Sequence, residues 1–223
     1  MSSESFSPSK DLTDWFKNVR DVLETTYLSH DAPWRQSGMS GPEVRWTDLR
    51  KPIAECVDRS GTFLDIGCAN GYLLECVVKW TAERNLQIVP YGLDFSARLL
   101  ELARKRLPGY ADNFFLGNAL TWLPPRRFDY VRTELVYVPT EYERYYVRFL
   151  LQNHLERHGK LLVANYGEGA ENPEKGLLPG CHPTRWLQAR LDELEFTPLA
   201  YKDGFDPVKG RRVRVAILDR SSS

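Results

Sequence analysis

Two acids and two glycines along one stretch of the chain have the residue types that a ligand-binding loop requires. Asp65 lies within a short apolar run over residues 62–66, which is typical of a buried parallel strand. Gly67 and Gly71 follow it, and glycines lack the Cβ that would hold a ligand away from the backbone. An amphipathic helix is predicted from Gly71 to about residue 84, so its unpaired N-terminal amides would face the loop. The stretch therefore predicts a strand, a ligand-binding loop and a helix.

A second acid, Asp94, closes the next apolar run over residues 88–93. An acid at the end of the second strand of such a unit is placed to accept hydrogen bonds from both hydroxyls of a ribose. The two glycines are spaced around Ala69, however, and do not reproduce the three-glycine fingerprint of dinucleotide-binding proteins. The pattern thus favours a ligand that contains a nucleoside and disfavours a nicotinamide oxidoreductase.

The combination of Asp65, Gly67, Gly71 and Asp94 resembles the first motifs of the class I S-adenosylmethionine-dependent methyltransferases. The resemblance covers roughly residues 50–220. It implies an α/β fold with a doubly wound, mostly parallel seven-stranded sheet, a terminal antiparallel hairpin and helices on both faces. It also implies S-adenosylmethionine as cofactor and S-adenosylhomocysteine as product, with no metal.

What the resemblance implies for single residues concerns the loops after the strands, where open α/β sheets bind their ligands. The glycine loop would pack against the methionine and ribose of the cofactor, Asp94 would hold the ribose hydroxyls, and Phe95 would flank the adenine. The family usually has an acid after the third strand, and this chain has Asn118 there, whose amide oxygen accepts a hydrogen bond without bringing a charge. The predicted cofactor-binding residues are Asp65, Gly67, Cys68, Ala69, Gly71, Asp94, Phe95, Asn118, Ala119 and Leu120.

The acceptor side of the site is predicted from residue types. Methyl transfer is an in-line displacement, so alignment and exclusion of water matter most, and a base is needed only for an acceptor that carries a proton. Glu134, which follows the fourth strand, is the first candidate for a catalytic base and His30 the second. Arg35 is a candidate clamp for a carboxylate of the cofactor or the substrate. Four aromatic residues are candidates for the acceptor lining: Tyr27, Trp34, Tyr137 and Tyr166.

The remaining elements are predicted from periodicity and turn residues. Helices are expected over residues 12–28, 43–58, 97–107, 141–158 and 184–194, with Pro52 as a kink or start and Gly159 as a C-cap. Further strands are expected over residues 114–116, 128–133, 160–164, 196–201 and 213–218, the last two forming a hairpin through Gly204 and Gly210. Residues 1–10 and the serines at 221–223 are expected to be disordered tails, residues 11–50 a helical lid over the acceptor, and residues 51–220 the Rossmann-like domain.

Composition limits the partners and the compartment. Thirty basic and thirty acidic residues give a formal charge of zero, so nucleic acid is an unlikely partner. No apolar run is long enough for a membrane span and the polar N-terminus lacks signal-peptide order, which predicts a cytoplasmic protein. The four cysteines have no metal-ligand spacing and are expected to be free thiols.

Together these observations predict a methyltransferase that transfers a methyl group to an oxygen or nitrogen of a small molecule. One alternative is an RNA or protein methyltransferase of the same fold, with residues 104–106 and 211–214 as basic surface, although the Asn-Pro-Pro-aromatic motif of base methylation is missing after the fourth strand. Another is a catalytically inactive protein that binds S-adenosylmethionine. The acceptor and the oligomeric state do not follow from the sequence.

Overall fold

The computed structural model describes residues 9–38, 41–175 and 177–222. Residues 1–8 of the predicted N-terminal tail lie outside these ranges. Lys10 begins the first helix instead, and the Ser9 side chain caps this helix by accepting a hydrogen bond from the Leu12 backbone N–H. The predicted C-terminal tail is wrong at Ser222, which is buried and whose carbonyl accepts a hydrogen bond from the Thr197 N–H.

Seven strands form one sheet in the order β3-β2-β1-β4-β5-β7-β6. Their bounds are β1 Gly61–Ile66, β2 Ile88–Asp94, β3 Phe114–Leu116, β4 Phe128–Thr133, β5 Leu155–Glu168, β6 Ala200–Asp206 and β7 Arg211–Leu218. The first five strands pair in parallel, whereas β7 pairs antiparallel with both β5 and β6. This confirms the predicted mostly parallel sheet with a terminal antiparallel hairpin.

Six helices accompany the strands in the described part of the chain. They are α1 Lys10–Tyr27, α2 Glu43–Glu55, α3 Tyr72–Ala82, α4 Ala97–Arg106, α5 Glu143–Asn153 and α6 Leu187–Glu193. The Ser96 hydroxyl caps α4 by accepting from the Leu99 N–H, and α4 ends at Arg106, close to the predicted end at residue 107. None of these helices combines the length and apolar character that a membrane crossing requires.

Helices cover both faces of the sheet, because neighbouring residues in each buried strand point to opposite sides. In β1, Leu64 belongs to a core shared with α1, α5 and α6, whereas Phe63 belongs to a core shared with α2, α3 and α4. The direction of winding reverses between β1 and β4, which are neighbours in the sheet. In such sheets the crevice at the carboxyl ends of the two diverging strands is the usual ligand site.

Several element boundaries differ from the sequence prediction. Helix α5 ends at Asn153, and Gly159 is not its C-cap but lies inside β5 at an irregularity in the pairing with β4, where a Cβ would come within 2.7 Å of the Phe128 carbonyl oxygen. Gly204 is likewise inside β6 rather than in the hairpin turn. Pro52 neither starts nor splits α2, which begins at Glu43 and contains the proline in its last turn. Compared with the prediction, β6 is displaced by a few residues, β7 begins two residues earlier and α6 is shorter, as is usual for element boundaries.

Candidate functional site

A cavity of about 410 Å³ opens at the carboxyl ends of the parallel strands and is bounded on the far side by α1 and α2. This volume is within the range of small-molecule sites. The sequence-predicted residues that line it are Tyr27, Asp65, Gly67, Cys68, Ala69, Asp94, Phe95, Asn118, Ala119, Glu134, Tyr137 and Tyr166. Gly71, Leu120, His30, Trp34 and Arg35 are not part of its wall.

The glycine loop is held in a backbone conformation that favours glycine. Gly67 has a φ of 72° and Gly71 a φ of 74°, both in the left-handed region. A Cβ on Gly67 would lie 2.8 Å from the ring of Tyr137, so the loop passes close beneath this aromatic side chain. The backbone N–H of Gly67 donates to the Leu93 carbonyl at 2.8 Å, which ties the loop to the end of β2. Gly71 lies outside the cavity wall, and its missing Cβ allows the loop to pack closely against Ala103.

Asp94 is a buried carboxylate without a cationic partner in the described part of the chain. Its two oxygens accept hydrogen bonds from the backbone N–H groups of Ala69, at 2.9 Å, and Ser96, at 2.8 Å. Burial raises the pKa of Asp94 to about 6, although these amides act in the opposite direction. A carboxylate has about four acceptor sites, more than its backbone donors fill, so Asp94 can still accept from a hydroxyl group of a ligand in the cavity.

The loop that follows β3 also contributes to the cavity wall. Phe95, Asn118 and Ala119 all line the cavity. The Asn118 side-chain oxygen already accepts from the Leu120 N–H at 2.9 Å, so the amide fixes the turn that carries it. Leu120 itself is fully buried in the core beneath this turn. A flat ring would therefore meet Phe95, Ala119 and the Asn118 amide.

Arg132, in β4, is the centre of a polar cluster that the sequence analysis missed. Its guanidinium lies 3.2 Å from the Asp65 carboxylate and also pairs with Glu134. The hydroxyls of Tyr137 and Tyr166 accept from it at 2.7 and 2.9 Å. Burial alone would lower the pKa of Arg132, but the facing tyrosines and carboxylates outweigh it and hold the pKa well above its usual value. A charged residue inside a buried parallel strand was the available signal, since such a residue requires partners.

Glu134 lies in the cavity wall directly after β4, as predicted, but its carboxylate is already engaged. Arg132 pairs with it, and the Tyr137 hydroxyl donates to it at 2.8 Å. Both contacts hold the Glu134 carboxylate within the protein and leave it less free to contact an acceptor. His30 is outside the cavity wall, and the Gln36 side chain donates to its backbone carbonyl. The roles of both as bases stay predictions, and the position of His30 gives its role no support.

The loop after α1 contributes less to the cavity than the sequence suggested. Tyr27 lines the cavity, and burial raises its pKa to about 12. Trp34 instead donates its ring N–H to the Gly41 carbonyl at 3.0 Å, and Arg35 is exposed. Both border a separate shallow depression beside His30. The predicted binding roles of Trp34 and Arg35 are thus without support from their placement.

Basic residues that the sequence analysis did not assign to the site line the opposite end of the cavity. They come from α2 and from the β6–β7 hairpin: Arg45, Arg50, Lys209 and Arg211. Arg45 forms a buried ion pair with Asp206 at 2.6 Å, which also lies 4.0 Å from Arg211. Arg45 and Arg50 are both buried next to the apolar face of α2, and a buried arginine on such a face was the signal that could have found them.

The acids and cysteines of the described residues do not form a metal-binding cluster. Within the described ranges, no three His, Cys, Asp or Glu side chains come together as a metal-binding group, and the expectation of a metal-free site stays a prediction. All four cysteines are free. Burial raises the pKa of Cys68 well above its ordinary value, so this cavity thiol is not activated as a nucleophile.

Comparison with known proteins identifies the fold. No family model matches the chain. A trans-aconitate 2-methyltransferase from Rhodopseudomonas palustris is 36% identical over 101 residues, which span 45% of this chain but only 33% of that relative. A Burkholderia thailandensis 1,6-didemethyltoxoflavin-N1-methyltransferase, solved with its substrate and S-adenosylhomocysteine, has a TM-score of 0.64 at 14% identity and covers 95% of this chain and 91% of its own.

The fold alone does not fix the chemistry. The [4+2]-cyclase SpnF also matches, with a TM-score of 0.56 at 19% identity over 92% of this chain and 78% of its own. The strand order, the glycine loop at the switch point and the structural neighbours nevertheless agree with one another. The chain therefore has the fold of the class I S-adenosylmethionine-dependent methyltransferases, as its glycines and acids predict.

Proposed function

We propose that this protein is an S-adenosylmethionine-dependent methyltransferase that methylates an oxygen or nitrogen of a small molecule. The observation that carries the proposal is Asp94, a buried carboxylate without a cationic partner in the described residues, facing the same cavity as the glycine loop. A buried charge of this kind is costly unless a ligand donates to it. The enzymatic activity rests on this fit and on the partial match to the methyltransferase relative.

The cavity fits the cofactor in three parts. Asp94 would accept from the ribose hydroxyls, the turn at Asn118 and Ala119 would hold the adenine against Phe95, and the backbone at Gly67 would contact the methionine portion. When bound, S-adenosylmethionine supplies a methyl group on a sulfonium. The chain's own residues then have to orient the acceptor and exclude water.

We expect helix α1 to orient the acceptor and to exclude water from the cavity. The Phe16 ring lies 6.4 Å from the Phe95 ring, and the Ser96 hydroxyl donates to Glu24 at 2.6 Å. The neighbouring Trp15 donates its ring N–H to the Pro179 carbonyl at 2.6 Å. The helix thus spans the opening between two loops, and we assign residues 11–50 as the segment that covers the acceptor.

On the acceptor side, Tyr27, Tyr137 and Tyr166 form an aromatic wall around the end of β4. Tyr137 is held by its hydrogen bonds to Arg132 and Glu134, and Tyr166 by its bond to Arg132. This network fixes the rings and engages the Glu134 carboxylate in contacts within the protein. We therefore favour an acceptor atom that is already deprotonated when it binds, for which no base is required.

A small organic acid is one candidate acceptor, because the matched relative is a trans-aconitate 2-methyltransferase. Cytoplasmic residence is proposed from the sequence alone. The RNA or protein methyltransferase alternative has less support. The basic side chains proposed for its surface are largely committed within the fold, as Arg106 pairs with Glu75 and Arg214 with Asp203.

The test is a methyl-transfer assay with S-adenosylmethionine carrying a labelled methyl group. The acceptor panel contains small carboxylic acids, including trans-aconitate, together with heterocyclic amines, short RNA and a protein mixture. Label in a small molecule, with one S-adenosylhomocysteine formed per methyl transferred, is the expected result. Label in RNA or protein would favour the first alternative. Tight cofactor binding without consumption of any kind would favour the inactive binding protein.

A further inference from the structure

Arg50 is a buried guanidinium that faces the cavity and has no hydrogen-bonding partner in the described part of the chain. Its side chain is 6% exposed, its Nη1 atom is fully buried and unpaired, and no carboxylate lies within ion-pair distance. The flat face of the guanidinium stacks on the Tyr166 ring at 3.5 Å and lies 5.7 Å from the Trp46 ring. A buried cation without a hydrogen-bonding partner is costly, so its retention in a cavity points to an anionic ligand.

Arg50 contacts a strand other than those that carry the glycine loop and Asp94. Tyr166 belongs to β5, on the side of β4 opposite to β1 and β2, which carry the glycine loop and Asp94. Two further cations line this end of the cavity, Lys209 and Arg211. Burial, followed by the nearby guanidinium groups of Arg211 and Arg45, lowers the pKa of Lys209. The acids that face this end are Asp206, already paired with Arg45, and Glu134, already paired with Arg132.

We propose that the methyl acceptor carries a carboxylate and that Arg50 binds it; this inference rests on the function proposed above. Because its face is covered by Tyr166, the guanidinium offers its edge, which matches a planar carboxylate through two parallel hydrogen bonds. The guanidinium of Arg132 is already shared by Glu134 and Asp65, so this neighbouring cation is not available to the ligand and Arg50 is.

The first arm of the test is carboxylate binding to the complex with S-adenosylhomocysteine, measured by titration calorimetry. The probes are succinate, tricarballylate and trans-aconitate, with succinamide and glycerol 3-phosphate as controls. Wild type is expected to bind at least one carboxylate and not succinamide. Arg50→Gln should weaken that binding at least tenfold, and Arg50→Lys should recover part of it, because the charge is kept without the planar fork. Arg144→Gln, at an exposed pair with Glu195, is the matched control and should change nothing.

The second arm separates the acceptor's carboxylate from the one that the cofactor itself carries. S-adenosylhomocysteine has an amino-acid carboxylate, whereas 5′-methylthioadenosine lacks the whole amino-acid part. If Arg50 serves the acceptor, Arg50→Gln binds both nucleosides within twofold of wild type. If the variant loses S-adenosylhomocysteine tenfold but keeps 5′-methylthioadenosine, Arg50 holds the cofactor and the acceptor assignment is overturned.

Other results of these titrations also test the proposal. A wild-type complex that binds none of the carboxylates, or that prefers glycerol 3-phosphate, contradicts the proposal. So does undiminished carboxylate binding by Arg50→Gln. Failure of S-adenosylhomocysteine to bind wild type would count against the proposed function alone, and carboxylates titrated without it would then still test Arg50. Urea unfolding of both Arg50 variants checks folding, which should be retained because no partner group is left behind.

Discussion

Asp65 and Arg132 face each other on neighbouring parallel strands, paired in register, with carboxylate and guanidinium 3.2 Å apart and both side chains buried. The pair lies directly beneath the glycine loop and beside the predicted reaction centre at Glu134. Asp65 therefore has a partner within the protein, whereas Asp94 does not in the described residues. This difference assigns Asp65 to support of the loop and Asp94 to the ligand.

Removing Arg132 should be strongly destabilising. Arg132→Met leaves Asp65 and Glu134 buried without their cation, and loss of one partner of a buried pair costs about 3–5 kcal/mol. Asp65→Asn combined with Arg132→Met should recover part of this loss, because fewer uncompensated charges remain. Urea unfolding measures the free energies. The exposed pair of Arg144 and Glu195 provides the control, where Glu195→Gln should cost at most about 1 kcal/mol. An Arg132→Met variant as stable as wild type would contradict the claim that Arg132 stabilises the buried carboxylates of Asp65 and Glu134.

Gly67→Ala should destabilise the protein through two separable effects. The left-handed backbone costs about 1–3 kcal/mol for a residue with a side chain, and the new methyl group would also meet the Tyr137 ring. Combining it with Tyr137→Ala removes the second effect only, so a double-mutant cycle measured by urea unfolding should show a coupling of about 0.5–3 kcal/mol. At Gly109 a Cβ would meet nothing within 4 Å, so Gly109→Ala is the matched control. Additive effects at Gly67 and Tyr137 would mean that the loop and ring are not in close contact.

His154 should make stability depend on pH in the acid range. It is fully buried beside the rings of Trp122 and Phe149, and burial lowers its pKa to about 4 from 6.5. Between these values the unfolded chain takes up a proton that the folded chain does not, so stability falls as pH falls from 6.5 towards 4. From pH 7.5 to pH 5 this amounts to about 2 kcal/mol.

His154→Phe isolates this effect, because the raised pKa values of Asp94 and Glu143, each about 6, act in the opposite direction in both proteins. A carboxyl group with a raised pKa gains stability as pH falls, whereas the lowered histidine loses it. The difference in unfolding free energy between wild type and His154→Phe should therefore shift with pH by about 2 kcal/mol in favour of the variant. Parallel pH profiles for the two proteins would exclude a buried neutral histidine.

The parts of the fold that follow from local pattern were predictable. Gly67 and Asp94 could be placed because strand, turn and helix signals fall close together in that stretch. The position of Gly159 inside β5 could not be predicted, because the apolar spacing of a helix continues through residues 151–155. Only the pairing of Leu155 with Phe128 makes this segment a strand. Tertiary pairing of this kind overrides helical periodicity and is not written in the local sequence.

The cofactor side of the site was predicted better than the acceptor side for a related reason. Residues after consecutive strands meet at one edge of the sheet whatever their partners are, which located Asn118 and Glu134. The places of Arg132 and Arg50 in the site depend on the residues that they contact in the folded chain. Arg132 faces Asp65 on the neighbouring strand, and Arg50 contacts Tyr166 where α2 packs on the sheet. Trp34 and Arg35 were predicted to face the site from a loop of suitable composition, but Trp34 packs against the core on the α2 side of the sheet and Arg35 is exposed.

The most direct test of the central claim is titration calorimetry of S-adenosylhomocysteine with wild type and with Asp94→Asn. The substitution keeps the shape of the side chain but removes the charge that would accept from the ribose hydroxyls, and Asp203→Asn on the exposed hairpin is the control. Binding to wild type and to the control, with a loss of about 1.5–3 kcal/mol in Asp94→Asn, is the result that the structure predicts. Absence of binding to wild type, or equal affinity in Asp94→Asn, would contradict the assignment of this cavity to S-adenosylmethionine.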